Sequence, residues 1–217
     1  MTNSARQVLS RTQEELTPAP GANRLLPLVA AWRAPVSALA ALAAEERHII
    51  TSDWRAFLTL AARAEDPATR QFFSFLAVGE SLALDLLVPL AEATSADMDE
   101  YTPKAGCQAY PAYVASLALN AAPIDALLAL FANFAAWGEY CASISESLRE
   151  NYGFDDKACG FFDFFAKPVP ELEQHALAAI QAALDAGWQP DEALRHGRLL
   201  LDYELMFWNT IADMAGN

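Results

Sequence analysis

The chain has 217 residues, of which 54% are hydrophobic, and 28 acidic against 14 basic side chains give it a formal charge of −14. This apolar content excludes an intrinsically disordered chain and predicts one globular domain with a large core. The negative surface disfavours binding to nucleic acid or to anionic membranes.

Residues 1–22 are polar and end in "LTPAPG", which predicts a flexible leader before a single helical domain of residues 23–217. A short helix is expected over residues 23–34, ended by a proline. Apolar residues at three-and-four spacing then predict a helix over residues 36–66, with a break near 50–52. Another helix is expected from Pro67 to about residue 93.

Breakers and charges predict a loop over residues 94–109. Helices are expected over 110–121 and 123–152, followed by a short aromatic segment. Two more helices complete the chain, one from Pro170 and one from Pro190. Several of these helices are apolar on nearly every face, so other helices must surround them. The predicted fold class is all-α, a compact bundle of seven or eight helices.

The N-terminus lacks a basic region followed by an apolar run, so no secretory signal is expected. The longest apolar stretch, "ALLALFANFAAW", is too short to cross a bilayer. Cys107, Cys141 and Cys159 form no paired framework, which suits a reducing compartment. These features predict a cytoplasmic protein.

Four acidic residues lie in windows that look buried: Asp53, Glu80, Glu139 and Glu204. Glu204 shares a helical face with apolar residues at three- and four-residue spacing, namely Leu200, Leu201, Phe207 and Trp208. A carboxyl group walled by aromatic rings can keep its proton near neutral pH and act as a general acid. The neighbouring Asp202 is expected to face elsewhere.

Structural roles for the same acids are equally compatible with the sequence. Glu204 could extend to solvent or pair with a buried arginine or tyrosine. Glu80 and Glu139 could pair with one of three arginines, Arg55, Arg63 or Arg149. Asp53 could cap the helix that follows it. Both sets of roles stay open at the level of sequence.

Metal and thiol chemistry are not favoured. A di-metal centre in a helical bundle needs inward-facing Glu and His residues, but His48, His175 and His196 are scattered and none lies at a ligand spacing from the four acids. We therefore expect no metal and no other cofactor. Cys141 has no nearby histidine and is best interpreted as a small apolar core residue.

Four short segments, in this order along the chain, carry a resemblance. They are "ITSDWRAFL" with Asp53 and Phe57, "AVGESLALDLL" with Glu80, "QAYPAYVASL" with Tyr110, and "YELMFW" with Glu204. Together residues 23–215 resemble the TenA-type, or thiaminase II, family, whose fold is like that of heme oxygenase.

The resemblance implies a hydrolase that acts on a small aminopyrimidine or related amine, as in thiamin salvage or degradation. Glu204 matches the family's catalytic acid, and Asp53 matches its pyrimidine-binding aspartate. The residues expected to contact the substrate besides Asp53 are Phe57, Glu80, Tyr110, Asn133, Trp137, Phe165 and Trp208. The resemblance also implies a homodimer or homotetramer, in agreement with the high apolar fraction.

The sequence departs from the family pattern at the nucleophile. Alignment on Glu139 puts Asn133 where the family has its catalytic cysteine and Trp137 where it has a tyrosine, while Phe161 and Phe165 replace a Trp and a Tyr. Without the cysteine the covalent route is lost, and Glu139 would activate water as a general base.

Two alternatives remain at this stage. One is a non-catalytic relative that binds a small molecule. The other is an oxidase of the same fold, either cofactorless or di-iron. The di-iron form is disfavoured, because residue 87 is Leu where a His is needed and no His follows His196.

Overall fold

The computed structural model describes residues 4–216, and within that range the chain forms helices and no strand. The helices are α1 Ala5–Glu15, α2 Leu25–Ala30, α3 Val36–Arg63, α4 Pro67–Thr94, α5 Ala105–Asn120, α6 Pro123–Tyr152, α7 Gly160–Ala166, α8 Pro170–Asp185 and α9 Asp191–Ala215. The prediction of an all-α bundle is confirmed.

α3 and α5 differ from the helices predicted there in ways that bear on the site. α3 continues without a break through residues 50–52, because Ile49 and Ile50 are buried and Thr51 turns its hydroxyl back to the carbonyl of Arg47. β-branched residues weaken a helix only slightly, and tertiary packing overrides that preference. α5 begins five residues earlier than expected, where the backbone N–H of Lys104 donates to a buried carboxylate of α3, Glu45.

The N-terminal segment differs most from its prediction as a flexible leader. Ser4 caps α1 through a capping box with Gln7, and Val8, Leu9 and Leu16 are buried. α1 packs against α6 and α8. The polar composition of this segment reflects its outer face only, and its inner face belongs to the core. Residues 1–3 of the predicted leader lie outside the described range.

The end of α1 is held by a close approach to α9. A Cβ at Gly197 would lie 2.5 Å from Cδ1 of Leu16, so this position must be a glycine for Leu16 to pack where it does. The carbonyl of Gly197 also accepts a hydrogen bond from Asn133 of α6. α1, α6 and α9 are therefore tied together at one point.

The buried apolar residues form two clusters. The first joins α1, α8, the C-terminal parts of α3 and α5 and the N-terminal parts of α4, α6 and α9. The second joins α2, α7, α9, the N-terminal part of α3 and the C-terminal parts of α4 and α6. Tyr110 packs against both clusters. Along α3 and α9, the buried acids Asp53 and Glu204 lie between the residues of one cluster and those of the other.

α4 and α6 are long and apolar enough to cross a membrane if length and composition alone are considered. Both pack on several other helices of the bundle, and the core helices of a globular protein have the same composition.

We predict that Leu16→Ala destabilises the protein by about 2–4 kcal/mol. The substitution removes a buried side chain, and the neighbouring Gly197 has no side chain that could fill the space left behind. Urea denaturation measures this change. Arg11→Ala, on the exposed face of α1, is the matched control and should change the free energy of unfolding by less than about 0.5 kcal/mol. Equal, small effects of the two substitutions would mean that α1 is not part of the core.

Candidate functional site

A cavity of about 520 Å³ lies between the two apolar clusters. α3, α4, α5, α6, α7 and α9 form its walls, and its lining extends to Gln13 of α1, to residues 167–169 between α7 and α8 and to the first turn of α8. The volume falls in the range of sites for small molecules. The bundle thus forms a partly open chamber large enough for one small ligand.

One face of α3 supplies the polar wall of the chamber. Glu46, Ile50, Asp53 and Phe57 recur at spacings of four, three and four residues, so they point to the same side of the helix. All four are 5% exposed or less. The face that reads as core in the sequence therefore carries two carboxyl groups into the chamber.

Aromatic side chains form most of the remaining wall. Trp137 lies 5.8 Å from Phe165 and 6.5 Å from Phe207, measured between ring centroids. At Gly138 the carbonyl oxygen of Phe165 would be 3.3 Å from a Cβ, so the glycine allows α7 to approach α6 closely. Such rings suit a planar or cationic ligand, which can stack on their faces.

Glu204 of α9 faces the chamber, whereas Asp202 is exposed on the outside of the bundle. Glu204 is 5% exposed, and its Oε1 accepts a hydrogen bond from the indole Nε1 of Trp208 at 3.3 Å. Burial raises the pKa of the Glu204 carboxyl to about 7, although the indole hydrogen bond acts in the opposite direction. This group can donate or accept a proton near neutral pH.

Glu204 belongs to an acid cluster, which we define as Glu46, Asp53, Glu80 and Glu204. Burial raises the pKa of Asp53 well above its ordinary value. For Glu46 and Glu80 burial is again the largest cause, and the charge of Asp53 raises both pKa values further. The charge of Glu204 also acts on Glu46. The four carboxyl groups are therefore close enough to influence one another.

Three buried acceptor atoms on the chamber wall have no hydrogen-bond donor: Oε1 of Glu46, Oδ1 of Asp53 and Oδ1 of Asn133. The amide nitrogen of Asn133 is used, because it donates to the carbonyls of Ala129 at 2.8 Å and Gly197 at 3.2 Å. Unpaired buried oxygens cost free energy, so their occurrence together on one chamber indicates a ligand that supplies N–H groups.

The arginines proposed as structural partners do not pair with the acid cluster. Arg63 donates to the carbonyl of Ala118, Arg149 pairs with Asp156 and Asp163, and Arg55 is exposed. The alternative in which Asp53 caps a helix is wrong as well, because α3 is continuous there. Among the described residues that line the chamber, Lys167 is the one basic side chain, and it is exposed.

All of the sequence-predicted site residues except Trp208 line the chamber, although one of them, Glu139, is not buried. Those that line the chamber are Asp53, Phe57, Glu80, Tyr110, Asn133, Trp137, Glu139, Phe165 and Glu204. Glu139 is exposed there, because its position on α6 faces outward, and the expectation that it is buried is wrong. Trp208 lies behind Glu204, fully buried, and orients that carboxyl group rather than facing a ligand.

Sequence reasoning missed Glu46 as a site residue. The pair "EE" at residues 45 and 46 looks like a solvated turn of helix, but Glu46 is seven residues before Asp53. Seven residues make two helical turns, so a buried Asp53 implies that Glu46 shares its face. This seven-residue spacing is the feature of the sequence that could have identified Glu46 as a site residue.

Within residues 4–216, no group of three or more His, Cys, Asp or Glu side chains has an arrangement that could hold a metal ion. The acid cluster surrounds the chamber rather than converging on one point. Tyr110 lies among its members, and burial together with their charges raises the pKa of its phenol, which therefore remains a hydrogen-bond donor.

The fold and the chamber define a class of all-α proteins with a heme-oxygenase-like fold. A TenA homologue from P. horikoshii OT3 is similar over 96% of both chains, with a TM-score of 0.68 and 16% identity. A TenA homologue from Pyrococcus furiosus is 17% identical over 96% of this chain and 97% of its own, with a TM-score of 0.68.

A domain of unknown function with a heme oxygenase-like fold, from Shewanella denitrificans OS217, is 14% identical over 97% of this chain and 89% of its own, with a TM-score of 0.67. No family model and no curated protein matches the sequence. The chain therefore has the fold of TenA homologues, and at these identities the likeness is one of fold.

We predict that stability falls as pH rises from about 5 to about 8. Between the ordinary pKa of 4.5 and the folded value of about 7, the folded protein keeps a proton on Glu204 that the unfolded chain has lost. Ionisation of this buried group therefore costs the folded state roughly 3 kcal/mol above pH 7. Urea denaturation across this range measures the decline.

Glu204→Gln should reduce the fall in stability with pH, because the amide of Gln does not ionise. The other acids of the cluster should still produce some pH dependence, with a smaller slope than in the unmodified protein. Asp202→Asn, two residues away on the exposed side of α9, is the control and should leave the slope unchanged. A stability profile that is the same for the Glu204→Gln variant and the unmodified protein would contradict the assignment of Glu204 as a buried, proton-holding acid.

Proposed function

We propose that the chamber binds a small aromatic amine of the aminopyrimidine class and that Glu204 assists hydrolysis of its exocyclic carbon–nitrogen bond. The observation that carries this proposal is the set of three unpaired, buried oxygens inside an aromatic chamber. A planar ring with amino groups supplies the hydrogen-bond donors that this wall lacks, and its face can stack on the aromatic side chains of the wall.

The binding step uses three side chains. Asp53 Oδ1 and Asn133 Oδ1 accept hydrogen bonds from ring amino or protonated ring nitrogen groups, and each is otherwise unpaired. Phe57, one turn after Asp53, offers an adjacent apolar surface to the ring. A charge-assisted bond to Asp53 contributes roughly 1.5–3 kcal/mol.

In the chemical step a water oxygen forms a bond to the substrate's methylene carbon while the bond from that carbon to the amine nitrogen breaks. The departing nitrogen keeps the bonding electrons and takes a proton from Glu204, whose pKa of about 7 suits this role. The water gives up its proton to a second carboxylate. We assign that role to Glu80, half-buried on the chamber wall, in preference to the exposed Glu139. Burial favours the neutral form of Glu80 in the empty chamber, and the positive charge of a protonated substrate ring favours its ionised form.

Glu204→Gln is expected to lower kcat for amine release from an aminomethyl-aminopyrimidine by about 10²–10⁴-fold, since a general acid contributes that much. In the unmodified protein the rate should fall above about pH 7, as Glu204 loses its proton. Ammonia release measured by a coupled assay gives both quantities. Asp202→Asn is the control, and unchanged release by Glu204→Gln would reject the acid role.

A second candidate is ligand binding without turnover. The position of the thiols favours this candidate, because Cys107, Cys141 and Cys159 are fully buried and do not line the chamber. Burial also raises the pKa of each thiol. Asn133 aligns with the catalytic cysteine of the family that the chain resembles, and its side chain carries an amide instead of a thiol. No described thiol is therefore suited to attack a bound ligand.

Thermal shift combined with the release assay separates the two candidates. A binding protein gains stability with the aminopyrimidine, by an amount that follows the ligand concentration, and returns the ligand unchanged. A hydrolase gains the same stability only until the substrate is consumed. Absence of any shift and of any release would remove both candidates.

Three further expectations from the sequence remain proposals: a cytoplasmic location, the absence of a cofactor and self-association as a homodimer or homotetramer. Val78 and Leu82, one turn apart on the outer face of α4, are 62% and 50% exposed. Exposed apolar residues at this spacing favour burial against another copy of the chain.

A further inference from the structure

A second cavity lies on the outer side of α3, and we call it the outer groove. It has a volume of about 640 Å³ and lies between α3 and α5, with part of the α4–α5 connection at one end. Its α3 residues, which include Arg47 and Arg55, lie on the helical face opposite to Glu46 and Asp53 of the chamber wall. α3 therefore directs acids toward the chamber and bases toward the outer groove.

Arg55 is a cation of the outer groove that has no anionic partner. It is exposed, and its guanidinium group forms no hydrogen bond or ion pair with any residue that the structure describes. The residues one turn away on α3 are not acidic: Thr51, Ser52, Leu58 and Thr59. By contrast, six arginines of the described range pair with carboxylates: Arg6, Arg24, Arg47, Arg149, Arg195 and Arg198. In a chain with 28 acidic side chains, Arg55 is left available for an external anion.

Two further hydrogen-bond donors lie beside Arg55 in the outer groove. Ser52 is three residues before Arg55 and four residues after His48, so it neighbours both on the surface of the helix. The hydroxyl of Ser52 and the imidazole of His48 are half-buried and have no hydrogen-bond partner among residues 4–216. An imidazole donates an N–H in either neutral tautomer. One face of α3 thus offers a guanidinium, a hydroxyl and an imidazole to the same ligand.

The part of the outer groove beyond Arg55 is apolar. α5 supplies Ala115, Ala118 and Leu119 there, and Leu119 is 69% exposed. The carbonyl of Ala118 accepts a hydrogen bond from Arg63, which places this end of the groove near the C-terminal end of α3. A ligand that covers this surface needs an apolar part next to the group that binds Arg55.

We propose that the outer groove binds a small organic phosphate, whose oxygens accept hydrogen bonds from Arg55, Ser52 and His48 and whose apolar part lies on α5. The planar guanidinium group can hold two phosphate oxygens, and the others remain for the hydroxyl and the imidazole. Asp99, the one acidic side chain among the described lining residues, is held by Arg47 at 2.9 Å. The groove and the chamber share no lining residue, so this inference stands or falls independently of the proposed function.

Calorimetric titration with phenyl phosphate tests the proposal. Arg55→Gln should raise the Kd at least about 10-fold, because it removes a charge-assisted contact at two points. Arg55→Lys keeps the charge without the planar fork and should give an intermediate Kd. Arg33→Gln is the matched control and should leave the Kd unchanged, since Arg33 is exposed and lines neither cavity. Unchanged binding by Arg55→Gln, or equal weakening by Arg33→Gln, would overturn the proposal.

Two further probes test the two parts of the ligand. Phenyl phosphate should bind at least about threefold more tightly than benzoate, because a carboxylate has too few oxygens for all three donors. Ser52→Ala should reduce this preference. Phenyl phosphate should also bind more tightly than inorganic phosphate, because its ring covers Ala115 and Leu119. Equal affinity for benzoate would overturn the choice of phosphate, and equal affinity for inorganic phosphate would overturn the apolar part.

Melting and sedimentation separate this site from a structural role and from a lipid headgroup. Because Arg55 is exposed, Arg55→Gln should melt at the same temperature as the unmodified protein, and a lower melting temperature would contradict the proposal. Vesicles of phosphatidylcholine and phosphatidic acid in equal parts should not sediment the protein, since its formal charge is −14. Sedimentation that Arg55→Gln abolishes would assign the groove to a lipid headgroup and overturn the small ligand.

Discussion

The cost of a carboxylate in an apolar interior governs this structure. Four acids face one chamber, and burial raises the pKa of each. Among the described residues that line it, the one basic side chain is that of the exposed Lys167. Elsewhere the same chain satisfies its acids: Asp163 accepts hydrogen bonds from Arg149 and Ser145, which lower its pKa. The unpaired acids are therefore a property of the chamber, which is the pattern expected of a functional site.

The bundle leaves the chamber open by dividing its core. The apolar residues of α3, α4 and α6 contribute to one cluster at one end of each helix and to a second cluster at the other end. The acids lie at the boundary, where neither cluster could fill the space without burying a charge against hydrocarbon. Tyr110, which contacts both clusters, bridges this boundary with a side chain that is apolar in its ring and polar at its hydroxyl.

The sequence predicted the fold class and the buried acids Asp53 and Glu204, because periodicity along a helix determines which residues share a face, and the family resemblance supplied further residues of the chamber wall. Glu204 and Asp53 could be located from their own apolar neighbours. Glu139 could not, since its window is apolar all round and the outward direction depends on which helices pack against α6. Trp208 has the right spacing for the site but lies one layer behind it. Periodicity shows which face of the helix a residue is on, and it does not show whether that residue reaches the chamber.

α1 shows the converse limit of sequence reasoning. Its polar residues are numerous enough to suggest a leader, yet Val8, Leu9 and Leu16 bury a narrow stripe against α6 and α8. Only the partner helices reveal that the stripe has something to cover. Because Gln13 on the same helix lines the chamber, the misjudged segment also contributes to the site.

Asn133 links the departure from the family pattern to the character of the chamber. Its amide nitrogen donates to two backbone carbonyls, on α6 and on α9, so its oxygen has to point the other way, where no donor meets it. A cysteine at this position would offer a nucleophile, whereas the held amide offers a fixed acceptor. The asparagine therefore adds a third unpaired acceptor to a wall that already has those of Asp53 and Glu46.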